Sequence, residues 1–221
     1  MALPWLHSNS NVIDNDSIAG SAASGIVLSD SQNNELTRSA LRANGRSGLA
    51  LIASDLNAIE ENVIEGNGAR GVEVVKGREN KIRRNVVSGS RVGLYLISSD
   101  NNTAEDNSVI KGSVQGIWIL GTSAAPSSNN RVQGNSVSDN GGDGILIDAH
   151  SRKASVIDNA ASENGGDGIE VRDATTSLKS NTAIRNKQFG IQAATGTRSS
   201  GNRAIGNGER AQCMPTAICS R

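Results

Sequence analysis

Apolar residues recur along this chain in short pairs, each pair led by a glycine and split by one variable position. The runs are Gly25-Ile26-Val27-Leu28, Gly48-Leu49-Ala50-Leu51, Gly71-Val72-Glu73-Val74, Gly93-Leu94-Tyr95-Leu96, Gly116-Ile117-Trp118-Ile119, Gly144-Ile145-Leu146-Ile147, Gly168-Ile169-Glu170-Val171 and Gly190-Ile191-Gln192-Ala193. Their glycines lie 23, 23, 22, 23, 28, 24 and 22 residues apart. Within each run the period is two, so the flanking aliphatics point one way and the middle residue the other. No piece keeps a 3.6-residue period over the length a helix needs. A fixed spacing in this range predicts a solenoid.

Each repeat carries two further short pieces of the form Asn-x-apolar. The first is seen at Asn34-Glu35-Leu36, Asn57-Ala58-Ile59, Asn80-Lys81-Ile82 and Asn130-Arg131-Val132. The second is seen at Asn62-Val63-Ile64, Asn85-Val86-Val87, Asn107-Ser108-Val109 and Asn135-Ser136-Val137. Asn-Gly turns follow at residues 44–45, 67–68, 140–141 and 164–165. Glycine and asparagine are expected to mark the corners because both tolerate positive φ. Stacked asparagines can also bond along the stack as a ladder. The third-strand column ends in Ala161, Ala183 and Ala204, so the core is expected to thin toward the C-terminus. One insertion, Gly121–Asn129, lengthens a repeat.

These elements resemble the right-handed parallel β-helix of the pectate-lyase-like superfamily, over residues 11 to 208. The resemblance implies an all-β fold with three short parallel strands per coil. Eight to nine coils at about 4.8 Å would make a rod about 40 Å long. Leucine-rich repeats share the period but lack the glycine-led strand, and the hexapeptide left-handed helix has a shorter one. The expected organisation is a lead-in and partial cap at residues 1–10, the β-helix at 11–208, and a tail at 209–221. Pro4, Trp5 and Leu6 are expected to cover part of the first coil. Both ends of such a rod expose strand edges, so self-association, end to end or side by side, is one expectation.

Composition fits a thin solenoid: aromatics are 2% of the 221 residues, and there are 25 glycines and three prolines. With 22 basic and 22 acidic residues, no long-range field toward nucleic acid is expected. No run reaches the roughly 20 apolar residues of a membrane span. Residues 1–7 do not form an intact signal peptide, so an exported protein would take its signal or a preceding domain from outside this sequence. Cys213 and Cys219 are the two cysteines and read best as a disulfide loop, with two free thiols as the alternative. A disulfide would place the chain in an oxidising compartment: secreted, periplasmic or at the cell surface.

Candidate chemistry falls on the outward column of the glycine-led strands: Val27, Ala50, Glu73, Tyr95, Trp118, Leu146, Glu170 and Gln192. In enzymes of the resembled superfamily the substrate groove lies along one sheet, deepened by long loops. Tyr95 and Trp118 are neighbours on adjacent coils. They could stack on successive sugar rings, with Glu73 beside them as a ligand-binding residue, or stack on each other and shield the sheet. One position further along, Ile52, Val75, Ile97 and Leu120 either turn inward as core at the corner, the expected arrangement, or form an exposed stripe. Asp148 and Arg172 hold equivalent positions on adjacent coils, with Glu170 diagonal to Asp148. A lyase or glycosidase would need such a set, whereas a cross-strand ion pair is the ordinary outcome. His150 lies close by, in a run that weakly resembles the Asp/His run of alginate epimerases. The second aspartate and the proline of that run are missing, so the activity is not carried over. No metal site is read from the sequence and no cofactor is expected. Calcium finds weak support in two Asn-Gly-Gly-Asp-Gly segments, 140–144 and 164–168, which resemble calcium-binding nonapeptide repeats but lie a full coil apart.

The reading that follows is a β-solenoid module, extracellular or in the cell envelope and part of a larger protein, that binds a polysaccharide or a protein partner along its parallel sheet. The alternatives are a polysaccharide lyase, hydrolase or epimerase using Asp148, Glu170, Arg172 and His150, and a purely structural spacer. The short turns favour the non-catalytic reading, because Gly121–Asn129 is the sole candidate for a loop wall.

Overall fold

A computed structural model describes residues 3–219, with side chains from His7 onward. The chain winds through nine coils into three parallel sheets. Sheet A has ten strands and holds the glycine-led runs; sheets B and C have nine each and hold the two Asn-x-apolar pieces. The register is constant: Leu94 pairs with Ile117, Tyr95 with Trp118 and Leu96 with Ile119. The period-two reading therefore holds in three dimensions. Ile117 and Ile119 are fully buried, as are their equivalents Leu49, Leu51, Val72 and Val74.

The core is one continuous aliphatic column from Ile13 to Ile218. It thins at Ala161 and Ala183 as expected, and the end is closed by Cys213 and Ile218, both buried. Cys213 and Cys219 form a disulfide. The sheet runs past the expected boundaries at both ends. Leu3–Leu6 pairs in parallel with residues 26–29, and Cys213–Met214 pairs with Ile191 and Gln192. Each adds main-chain bonds to an edge that would otherwise stay open. The expected covering of the first coil by the side chains of Pro4, Trp5 and Leu6 falls outside the described residues.

The corners work differently from the sequence expectation. The ladder asparagines do not take positive φ; the residue before each one does, and it is glycine or asparagine at some corners, such as Gly66, Asn101 and Gly134, but another residue at most of them. Leu56, Glu61, Arg84 and Asp106 have φ of 58°, 58°, 54° and 53°. The asparagines are there for their amides. Asn107 Oδ1 accepts both the backbone N–H and the side-chain N–H of Asn85, each at 3.0 Å. Its own Nδ2 donates to Ile82 O at 2.8 Å and to Asn135 Oδ1 at 2.9 Å. Three such ladders run along the rod, with a line of serines (Ser31, Ser54, Ser99 and Ser127) at the corner after sheet A. The leading glycines are required by closeness, not by φ. A Cβ on Gly116 would lie 2.3 Å from Val137 Cγ1 and 2.7 Å from the Gly144 carbonyl oxygen.

The ladder and the strained corner make separable predictions. Asn107→Ala leaves the buried backbone N–H of Asn85 without an acceptor and removes the Asn107 amide from the ladder on both sides, and should cost about 3 kcal/mol, a fall in Tm of roughly 10 °C. Leu56→Gly, at an exposed positive-φ position, should leave Tm unchanged or raise it. Calorimetry showing equal losses for both would mean that the corner shape, and not the amide ladder, holds the coils.

Candidate functional site

The outward column of sheet A lies outside the core, but its middle is not bare. Tyr95 is only 6% exposed. Arg70, at the start of the sheet-A strand one coil earlier, lies over the Tyr95 ring with its guanidinium carbon 4.7 Å from the ring centre. On the other side the Trp118 ring meets Tyr95 edge-on, with centroids 5.2 Å apart and planes at 61°. The two aromatics therefore do not form a flat two-ring platform; a long arginine side chain closes one face of Tyr95. Burial raises the Tyr95 phenol above its ordinary value, and the Arg70 charge opposes that rise. Glu73 holds Arg70 at 3.4 Å and accepts a bond from Ser47 Oγ at 2.8 Å.

Trp118 stays partly exposed and lines a recess of about 120 Å³ with Ala69, Arg70, Arg91, Val92 and Val114. Its indole Nε1 is shielded from solvent and has no hydrogen-bond partner among the described residues. An unpaired buried donor of this kind costs about 1–3 kcal/mol. Arg91 on the rim is exposed and forms no ion pair among the described residues. The recess opens on the glycine-corner side of the sheet. The Gly121–Asn129 insertion does not wall it; that segment turns at Thr122–Ala125 and then pairs Ser127–Ser128 with residues 151–152. The expected inward turn of Ile52, Val75, Ile97 and Leu120 is also not found. Ile52 is 40% exposed and the other three are half-buried. Strand alternation carries on through this position, because the corner begins one residue later than expected.

At the other end of the same face, Arg172 grips both oxygens of Glu170 at 2.7 and 2.9 Å and lies 3.7 Å from Asp148. Asp148 Oδ1 also accepts the Ala149 N–H at 2.8 Å, and His150 is exposed on that turn. The structure thus brings Asp148, Glu170 and Arg172 together as an ion-paired group. It adds two residues that sequence reasoning did not single out. Asp143 and Asp167 precede the sheet-A glycines on adjacent coils, and their carboxyl oxygens converge with that of Glu170 within 4.8 Å. The signal was present in the two Asn-Gly-Gly-Asp-Gly segments, whose aspartates fall at the same place in the coil. Asp143 Oδ1 accepts the Asp167 N–H, and Asp167 Oδ1 accepts the Phe189 N–H, each at 2.8 Å. The pair is a short ladder of its own. Asp167 is 2% exposed, and burial, reinforced by the Asp143 and Glu170 charges, pushes its carboxyl up to about 7. Burial raises Asp143 as well.

With this geometry the molecule is defined as a parallel β-helix with one aromatic and one acidic region on the outer face of sheet A. The chain belongs to the right handed beta helix region family, whose profile matches residues 75–214, and the profile of the periplasmic copper-binding protein (NosD) family matches residues 4–126. None of the curated proteins matches it. Among solved structures it is similar to the A-module of the Azotobacter vinelandii mannuronan C-5 epimerase AlgE6, with 18% identity, a TM-score of 0.70, and coverage of 90% of this chain and 58% of that one. It is also similar to the periplasmic alginate epimerase AlgG, with 17% identity, a TM-score of 0.58, and coverage of 76% and 49%. A third is the tailspike of E. coli bacteriophage HK620 in complex with a pentasaccharide, with 15% identity, a TM-score of 0.58, and coverage of 89% and 43%. The chain therefore spans about half the length of these proteins. At such identities the likeness is one of fold. No helix among the described residues is long and apolar enough to cross a membrane.

One of the two family descriptions names copper. Copper takes imidazole, thiolate and thioether donors. Both cysteines are in the disulfide, and the cluster able to converge on a cation among the described residues is all carboxylate. That donor set does not fit copper. It is of the kind hard cations take, but one oxygen each of Asp143 and Asp167 is already committed to a backbone N–H.

The raised Asp167 carboxyl gives a signed pH prediction. The folded chain holds this proton between about pH 4 and pH 7, where an unfolded carboxyl with its ordinary value near 3.8 is ionised. Stability should fall as pH rises through that window. Asp167→Asn keeps an acceptor for the Phe189 N–H and should raise Tm by several degrees at pH 8, with the gain vanishing at pH 4. The same Tm difference at both pH values would show that Asp167 does not titrate in this range.

Proposed function

We propose that this β-helix is a non-catalytic, extracytoplasmic module that binds a polysaccharide on the outer face of sheet A, centred on the recess beside Trp118. The observation that carries the reading is the part-exposed indole of Trp118 lining a recess rimmed by Arg91. The exposed part of the indole offers an apolar face to a pyranose ring. Arg91 would add a charge-assisted bond for glycans that carry carboxylates. Tyr95 supports Trp118 from beside it, and Glu73 fixes Arg70; neither is an open stacking surface. The pentasaccharide of the HK620 tailspike structure and the polysaccharide substrates named for the two epimerases agree with a carbohydrate role for this fold. The oxidised cysteine pair and the periplasmic family description support a place outside the cytoplasm. Catalysis by the acidic group is disfavoured because Arg172 already neutralises Glu170 and reaches Asp148.

A glycan array with neutral and uronic-acid oligosaccharides tests this directly. Binding should appear, weaken about tenfold or more in Trp118→Ala, and weaken less in Trp118→Phe, which keeps the ring and loses the N–H. An array with no hits, or hits untouched by Trp118→Ala, would remove the proposal. Release of unsaturated or shortened sugars that stops with Asp148→Ala would replace it with an enzyme.

A further inference from the structure

The formal charge of the chain is zero, but it is unevenly laid out. Residues 1–173 hold 15 basic and 21 acidic side chains, and residues 174–221 hold 7 basic and one acidic, Glu209. The last coils of the rod therefore carry a net positive charge, opposite in sign to the rest. Most of the arginines before them are matched: Arg38, Arg42, Arg78, Arg83 and Arg84, for example, each have a carboxylate within 3.8 Å.

Where this basic region meets the coil before it, at the corner that leads into sheet B, lies a recess of about 540 Å³ lined by Lys153, Ala154, Ala174, Thr175, Ser177, Gly196 and Arg198. Its shape follows from the coil. Ser155, Ser177 and Arg198 are successive partners in sheet B, so the recess spans three coils. Lys153 lies on the first coil and Arg198 on the third, about 10 Å apart along the rod at the usual strand spacing. Both side chains are long enough to converge over the coil between them. That coil presents small hydroxyl residues: Thr175 Oγ1 accepts the Lys153 N–H at 2.7 Å, and Ser177 Oγ lies 3.2 Å from Ser155 Oγ. Gly196 has no side chain, and a Cβ there would meet nothing within 4 Å, so the recess stays open above Thr175. No carboxylate lines it. The nearest acid in sequence, Asp173, is engaged by Thr175 through both its N–H and its hydroxyl. Neither Lys153 nor Arg198 forms an ion pair among the described residues.

We propose that this recess is a second binding site, distinct from the sheet-A face, for a phosphate- or sulfate-type oxyanion. Arg198 supplies a planar fork of donors and Lys153 a mobile point charge, the pairing that suits a tetrahedral anion. Ser177 supplies a hydroxyl at the floor, while that of Thr175 is already donated to Asp173. The anion could arrive free or as an ester on a polymer, since the recess is larger than one phosphate needs and is open on one side. The surrounding excess of basic residues would draw either in, more weakly as salt rises.

The test is backbone amide chemical-shift mapping of the intact chain at low salt, titrated with inorganic phosphate and, separately, with a sulfated oligosaccharide. At least one probe should give saturable shifts at Lys153, Thr175, Ser177 and Gly196. The Lys153→Ala/Arg198→Ala double variant should weaken that binding about tenfold or more without changing Tm. Tighter binding of inorganic phosphate would mark a free-anion site; tighter binding of the oligosaccharide would mark a chain-borne one. Trp118→Ala should leave these shifts intact, which separates this site from the sheet-A proposal. Saturation by neither probe, or a double variant that binds as well as the parent, overturns it.

Discussion

The bond on which this structure depends is the one from an asparagine oxygen to the N–H groups of the coil before it. A β-helix turns its chain three times per coil, and at each corner the backbone leaves the sheet and loses its ladder partners. In the described coils one buried oxygen, repeated along the axis, restores them. Asn107 serves Asn85 as Asn135 serves Asn107. The strained residues just ahead, such as Leu56 and Arg84, can take positive φ because the next residue is so fully held. With the corners set by asparagine, each short strand has only to supply one or two inward aliphatics to fill the core.

Because that scaffold is so repetitive, the fold was legible at once. The spacing of the glycines and the aliphatic pairs placed Leu94 over Ile117 and Ile117 over Ile145, as found. What was not legible was which residue at a corner carries which task. Asparagine and glycine both tolerate positive φ, and a single sequence does not say whether that freedom is used. Here it is mostly unused: Gly116 is needed because Val137 leaves no room for a Cβ. The same limit applied to the surface. Alternation placed Tyr95 outside the core but could not show that Arg70, from the start of the strand one coil earlier, would fold over its ring. It placed Asp148, Glu170 and Arg172 together, yet passed over Asp143 and Asp167, because they sit at a corner and not in a strand. A net charge of zero likewise concealed a basic end.

Two kinds of surface follow from one backbone. The outer face of sheet A varies from coil to coil, with aromatics at the centre and paired charges toward the C-terminus. The corner into sheet B is hydroxylic and basic in the last coils. A solenoid can carry both because a side chain that points outward contributes nothing to the ladder or the core. Such positions are free to differ, and it is at Trp118, Asp167 and Arg198 that this chain departs from its own repeat.

The Asn-Gly corners have a further consequence, one of chemical ageing. Asparagine followed by glycine is the pair most prone to deamidation, in which the glycine nitrogen attacks the side-chain carbonyl carbon and expels ammonia. In this chain the nitrogens of Gly45, Gly68, Gly141, Gly165 and Gly208 each donate to a carbonyl of the preceding coil at 2.7 to 2.8 Å. The asparagine carbonyls beside them are fixed in the ladder. Neither partner in that reaction can reach the other without opening the coil. The motif that would ordinarily limit the lifetime of a protein is held here in an unreactive geometry, and its loss would record each coil that had come apart.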